Sequence, residues 1–264
     1  MRTPKLLWTV AFLAALLSLR QASAQQVEIK FTILPADLDK AIQALDLNNQ
    51  KFEQRTVAFF DTENRALFNG SPSLILRGRS KGAAEWETTV KLRAPSGGSL
   101  DPKYQSAGKN QKREWDQVIG ADPTKRESFS IDAGKDNPDV KKAVTDGQDI
   151  KKAFSKEQEK LVEENAASGF TWKDLVRYGP MESVKVWKKL STPGFPHEIT
   201  AERWDLPERK GKAARTILEL SIKVPLADGD QAAKDFAAVL KKLNLRDDPD
   251  GETKTRTVME HFAP

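Results

Sequence analysis

Cysteine is absent from the 264 residues, and histidine occurs only at His197 and His261. The first absence excludes disulfides, thiolate nucleophiles and cysteine-based metal sites. The second leaves too few imidazoles for a histidine-rich metal centre and gives a His-based triad little support. No GxxxxGK[ST] phosphate loop, GxSxG elbow or HExxH pair occurs. No internal repeat is visible. Beyond Leu17 no apolar run is long enough to cross a bilayer as a helix.

The one long apolar run, Leu6 to Leu17, follows Arg2 and Lys5 and precedes Ala22-Ser23-Ala24. A basic region, an apolar region and a small-x-small site in that order read as a secretory signal. Residues 1–24 are therefore expected to be a signal peptide, with the mature chain starting at Gln25. Such a chain is exported, to a bacterial periplasm or the medium, and keeps no membrane span. Removing Arg2, Lys5 and Arg20 also changes the charge balance, from 43 basic against 38 acidic residues to 40 against 38. A balance so near neutrality does not predict a partner in duplex nucleic acid. Any basic site has to be local.

What the chain does have is strands with one apolar and one charged face. Side chains alternate across a strand. From Gln26, Val27, Ile29 and Phe31 oppose Gln26, Glu28 and Lys30. Leu34-Pro35-Ala36-Asp37 turns into a helix ending near Leu45. Between Phe59 and Arg93, Leu74 and Leu76 share one face of a strand, and Ile75, Arg77 and Arg79 the other. On the next strand Thr89, Lys91 and Arg93 share a face. Like charges paired in this way repel unless water or an anion lies against them.

Residues 94–111 form a Gly/Ser/Pro-rich loop, and Lys112 to Ile119 a strand with Glu114 and Asp116 on one face. Residues 121 to about 180 are very polar and read as a helical insertion with a solvated surface. Strands return at Ser183–Leu190, Ile199–Leu206 and Ile217–Val224, the last with Glu219, Ser221 and Lys223 on its polar face. An amphipathic helix over Gln231–Leu243 follows, and 246–264 reads as a polar tail.

The central stretch resembles the CYTH domains, or triphosphate tunnel metalloenzymes, whose pattern is roughly YFDTxxxxLxxxGxxLRLRR…WxxTLK. The matching residues are Phe60-Asp61-Thr62, Leu67, Gly70, Leu74, Leu76-Arg77, Arg79, Trp86, Thr89 and Lys91. Gln26-Val27-Glu28-Ile29-Lys30 is similar to the family's first-strand ExExK, with Gln26 where the first Glu belongs. Ser221 stands where relatives often place a second acid.

The resemblance implies an α+β fold: an eight-stranded antiparallel tunnel-like β-barrel with flanking helices, over residues 25–245. It implies divalent-metal-dependent hydrolysis of triphosphate or short polyphosphate inside the charged tunnel. Lys30, Arg77, Arg79, Lys91, Arg93 and Lys188 would hold phosphate, with guanidinium groups gripping non-bridging oxygens. Glu28 and Glu114 would be catalytic, and Glu28, Asp116 and Glu219 would hold Mg2+ or Mn2+. Because Gln26 and Ser221 are neutral, an exported, non-catalytic polyphosphate- or nucleotide-binding protein is the alternative.

Overall fold

The computed structural model describes residues 25–82, 84–106, 108–120, 123–134, 137–209, 211–249 and 254–263. The expected signal peptide, 1–24, lies outside them. Among the described residues there are nine strands: β1 Gln26–Thr32, β2 Glu53–Thr62, β3 Ser73–Lys81, β4 Glu85–Arg93, β5 Gln111–Val118, β6 Thr124–Ala133, β7 Leu175–Leu190, β8 Ile199–Leu206 and β9 Arg215–Pro225. The helices are α1 Leu38–Ala44, α2 Pro138–Asp146, α3 Lys156–Asn165, α4 Gly229–Lys242 and α5 Lys254–Phe262.

The strands close into a barrel in the order β1-β5-β6-β4-β3-β2-β7-β8-β9. The expected α+β barrel with flanking helices is the architecture observed. It differs from expectation in having nine strands, and in one parallel pairing, β1 on β5, in register Glu28 to Asp116. That pairing brings the two acidic strands side by side. Closure leaves no open sheet edge among the nine strands.

Alternation decides which residues face outward. Val27, Ile29 and Phe31 of β1 and Leu218, Leu220 and Ile222 of β9 pack beneath α4 with Ala232, Phe236 and Leu240. On the other side, Phe60, Leu74, Leu76, Val90 and Leu92 pack against Val140, Ala143 and Val144 of α2 and Leu161 and Val162 of α3. Asn137 caps α2 by accepting from the Asp139 N–H, and Ser155 and Gln158 form a capping box on α3. Gly78 lets α2 come close: a Cβ there would lie 2.5 Å from Val144 Cγ2.

The third cluster lies on the opposite face of the same strands. It joins Val57, Phe59, Ile75, Val184, Val186, Trp204 and Ile217 to Val258, Met259 and Phe262 of α5. Each of these α5 side chains is buried, and each contributes at most about 1.5–3 kcal/mol.

Two sequence expectations are corrected here. Residues 124–133, placed in a helical insertion, form strand β6 between β4 and β5; the helical part of that region is α2 and α3. The polar tail expected over 246–264 contains the docked helix α5. Among the described residues, no helix is long and apolar enough to cross a membrane.

Candidate functional site

Where the apolar filling ends, the charged faces enclose a cavity of about 210 Å3. It is lined by Glu28, Lys30, Arg77, Arg79, Lys91, Arg93, Glu114, Asp116 and Glu219, all singled out from the sequence. Lys188 is not among them. Strand alternation would turn it inward with Val184 and Val186. A register shift between Trp187 and Leu190, with Lys189 at φ 58°, breaks that alternation. The Lys188 ammonium instead donates to Glu53 at 2.8 Å, largely in solvent.

Sequence reasoning missed other lining residues. Lys112, Arg126, Ser130 and Asp132 come from β5 and β6, and Lys254 and Thr255 from α5. The one available signal for α5 was the spacing of Thr255, Val258, Met259 and Phe262, which puts one face of a short helix inward. Lys223, read only as a member of a charged face, and Glu202 of β8 also line the cavity. In all, nine basic side chains face six acidic ones.

The acids are ion-paired. Lys30 lies 2.9 Å from Glu28 and 3.0 Å from Asp116. Asp116 also receives Lys91 at 2.6 Å and Arg93 at 3.5 Å. Lys223 reaches Glu114 at 2.9 Å, and Lys112 reaches Asp132 at 2.8 Å. Lys254 lies between Glu202 and Glu219, 2.8 Å from the latter. Arg79 donates to Glu87 at 2.5 Å.

Arg77 is the exception. Its one hydrogen bond runs from Nη2 to Thr89 Oγ1 at 3.3 Å, and its buried Nε has no partner among the described residues. Burial, with Arg79 adding to it, pulls the guanidinium down to about 10. Lys91 is pulled down to about 8 by burial, which the Asp116 carboxylate only partly offsets. Burial would raise the Glu202 carboxyl, but Lys254 outweighs that and holds it at about 2. Burial likewise opposes charge on Glu28 and Asp116, yet the lysines beside them, Lys30 first, hold both well below the usual carboxylate range.

A hard divalent cation takes most of its ligands from oxygen, carboxylates above all. Among the described residues, no group of three His, Asp or Glu side chains converges closely enough to hold one. Glu28, Asp116 and Glu219 each carry a lysine where a metal would sit. The residues present do not fit a resident metal.

A second cavity of about 490 Å3 shares Arg93, Val118, Thr124 and Arg126 with the first. It continues toward Phe68, Asn69 and Gly70, where Asp61 fixes the loop by accepting the N–H groups of Thr62, Leu67 and Phe68. The site is thus a charged pocket in a barrel, adjoined by a groove.

Two solved structures have this architecture. An adenylyl cyclase candidate from Hippeastrum, described as having a dominant triphosphatase activity, aligns with a TM-score of 0.56 at 11% identity, over 88% of this chain and 94% of that one. An adenylate cyclase candidate from Bacillus halodurans aligns with a TM-score of 0.53 at 13% identity, over 88% and 96%. No protein-family model and no curated protein matches the sequence. At these identities the likeness is one of fold. It supports the CYTH-type tunnel barrel implied by the central motif.

Proposed function

We propose that the barrel binds a linear phosphate-chain anion, of the triphosphate or short polyphosphate class, between the Arg77–Arg79 face of β3 and the Lys91–Arg93 face of β4. The observation that carries this reading is Arg77: a half-buried guanidinium whose Nε is buried without a hydrogen-bond partner, and which makes no ion pair among the described residues. A desolvated, unpaired cation is costly, and an incoming anion removes that cost. The excess of basic over acidic lining residues makes the whole cavity attractive to a polyanion.

Hydrolysis of the anhydride is the reaction we assign to the site. The triphosphatase activity described for the Hippeastrum protein of the same fold supports it. The basic side chains would neutralise the phosphate oxygens and position the chain, while Glu28 or Glu114 would accept the proton of an attacking water. No step is assigned to Mg2+ or Mn2+, because the donor set does not fit one. Export with cleavage before Gln25 belongs to the same proposal.

Titration calorimetry with tripolyphosphate, beside a phosphate-release assay over triphosphates and polyphosphate, tests the reading. Binding with release supports the hydrolase. Binding without release leaves a phosphate-binding protein, and no binding removes the site.

A further inference from the structure

We infer that Lys254 is a built-in counter-cation for the acidic wall of the barrel, and that the phosphate chain is therefore held without a divalent metal. The inference rests on the phosphate-binding reading and deepens it.

Glu202 and Glu219 are register partners on β8 and β9, so their carboxylates are side by side on the cavity face. Like charges so placed need a cation between them. Lys254 supplies it: its ammonium donates to Glu219 at 2.8 Å and to Glu202, and lies 5.5 Å from the centre of the Trp204 ring. The lysine is held there by its helix. Val258, Met259 and Phe262 are buried among Trp204, Ile217 and the other inward residues of the barrel's apolar end. The first turn of α5 is thereby fixed against the acids.

For a metal to take Glu219, it would have to displace this ammonium and leave its charge with Glu202 alone. The other acids offer no alternative, since Lys30, Lys91, Lys223 and Lys112 already occupy Glu28, Asp116, Glu114 and Asp132. Positions 26 and 221, two residues from Glu28 and Glu219 on the same strands, are neutral Gln and Ser.

Two measurements on the full chain decide the matter. In the first, Mn2+ is titrated into ligand-free protein and followed by electron paramagnetic resonance. No Mn2+ site of micromolar affinity is expected in the wild type, whereas K254M should create one and K254R should not. In the second, tripolyphosphate is titrated in EDTA and in excess Mg2+, with metal complexation of the ligand measured separately. Wild-type affinities should agree within about threefold, and K254M should lose about tenfold or more in EDTA. A micromolar Mn2+ site in the wild type, or binding that needs Mg2+, overturns the inference. Should tripolyphosphate bind in neither buffer, the proposed function falls, while the Mn2+ titration still decides the role of Lys254. K254R, which keeps the charge, and the wild-type measurements stand even if K254M fails to fold.

Discussion

Glu202 and Glu219 face each other across β8 and β9, and the ammonium of Lys254 lies between them. The barrel thus has walls of different character. On the β8–β9 side, negative charge is matched by a cation of the chain itself. On the β3 side, Arg77 makes no ion pair with a described residue, and its buried Nε has no hydrogen-bond partner among them. An anion has most to gain at the second wall. This asymmetry, more than the number of charges, sets where a phosphate chain would lie.

Arg77→Met should lower tripolyphosphate affinity about tenfold to a hundredfold, the scale of one or two charge-assisted hydrogen bonds. Its melting temperature should hold or rise, because a buried unpaired charge is replaced by an apolar chain of similar length. Calorimetry and a thermal melt on the same sample check both. Unchanged affinity would falsify the placement of the anion.

Gly78→Ala separates packing from binding. Gly78 lies between Arg77 and Arg79 but faces outward, and the added methyl would meet Val144 of α2 and the Phe60 ring. Overpacking of this kind costs about 1–3 kcal/mol. Denaturant unfolding should show that loss, with tripolyphosphate affinity close to wild type. A large affinity loss without destabilisation would mean that the face assignment of β3 is wrong.

Much of this was legible because alternation is local. β1, β3, β4 and β9 each have an apolar outward face, so period two put Arg77, Arg79, Lys91 and Arg93 on the other face of their strands; that this face is enclosed came from the resemblance. β6 was not legible, because between Lys125 and Ser128 it is polar on both faces. Arg126 lines the cavity, while outward Glu127 is buried against Arg113 at 2.6 Å. No hydrophobic period marks such a stretch. Lys188 misled because the bulge after Trp187 depends on backbone geometry that composition does not encode. Lys254 was out of reach for another reason: it meets Glu219 across 35 residues and Glu202 across 52. Contacts of that range follow from the fold, not from a spacing.

Acid should destabilise the protein partly through Asp37. This buried carboxylate accepts from Arg246 Nε and Nη2, both at 2.9 Å, and from Lys40 at 3.1 Å. The Arg246 hydrogen bonds outweigh burial and hold it well below its ordinary value near 3.8. A depressed folded value means that the stabilisation is fully present above the unfolded value and is lost as pH falls through the folded one. Stability should therefore decline below about pH 4, and Asp37→Asn should decline less steeply there while being less stable at neutral pH. Urea unfolding from pH 7 to pH 2 measures both slopes. Parallel slopes for the two proteins would exclude this contribution.

Glu28→Gln distinguishes turnover from binding. Glu28 is a half-buried acid on the cavity wall, 2.9 Å from Lys30, and its charge repels an incoming phosphate chain. Gln keeps the shape and removes the charge. It also frees Lys30 from one of its two carboxylates, leaving Asp116. Tripolyphosphate should therefore bind the variant as tightly as wild type or tighter, with metal chelated. Turnover should move in the opposite direction. If Glu28 takes the proton of the attacking water, its loss should slow phosphate release by about a hundredfold or more. Glu114→Gln, measured beside it, assigns the role: the larger fall in release identifies the base. Equal release from both variants and wild type would show that neither carboxylate takes part in the chemistry. Tight binding with no release from the wild type itself would leave the barrel as a phosphate-binding module, with Arg77 still its anchor.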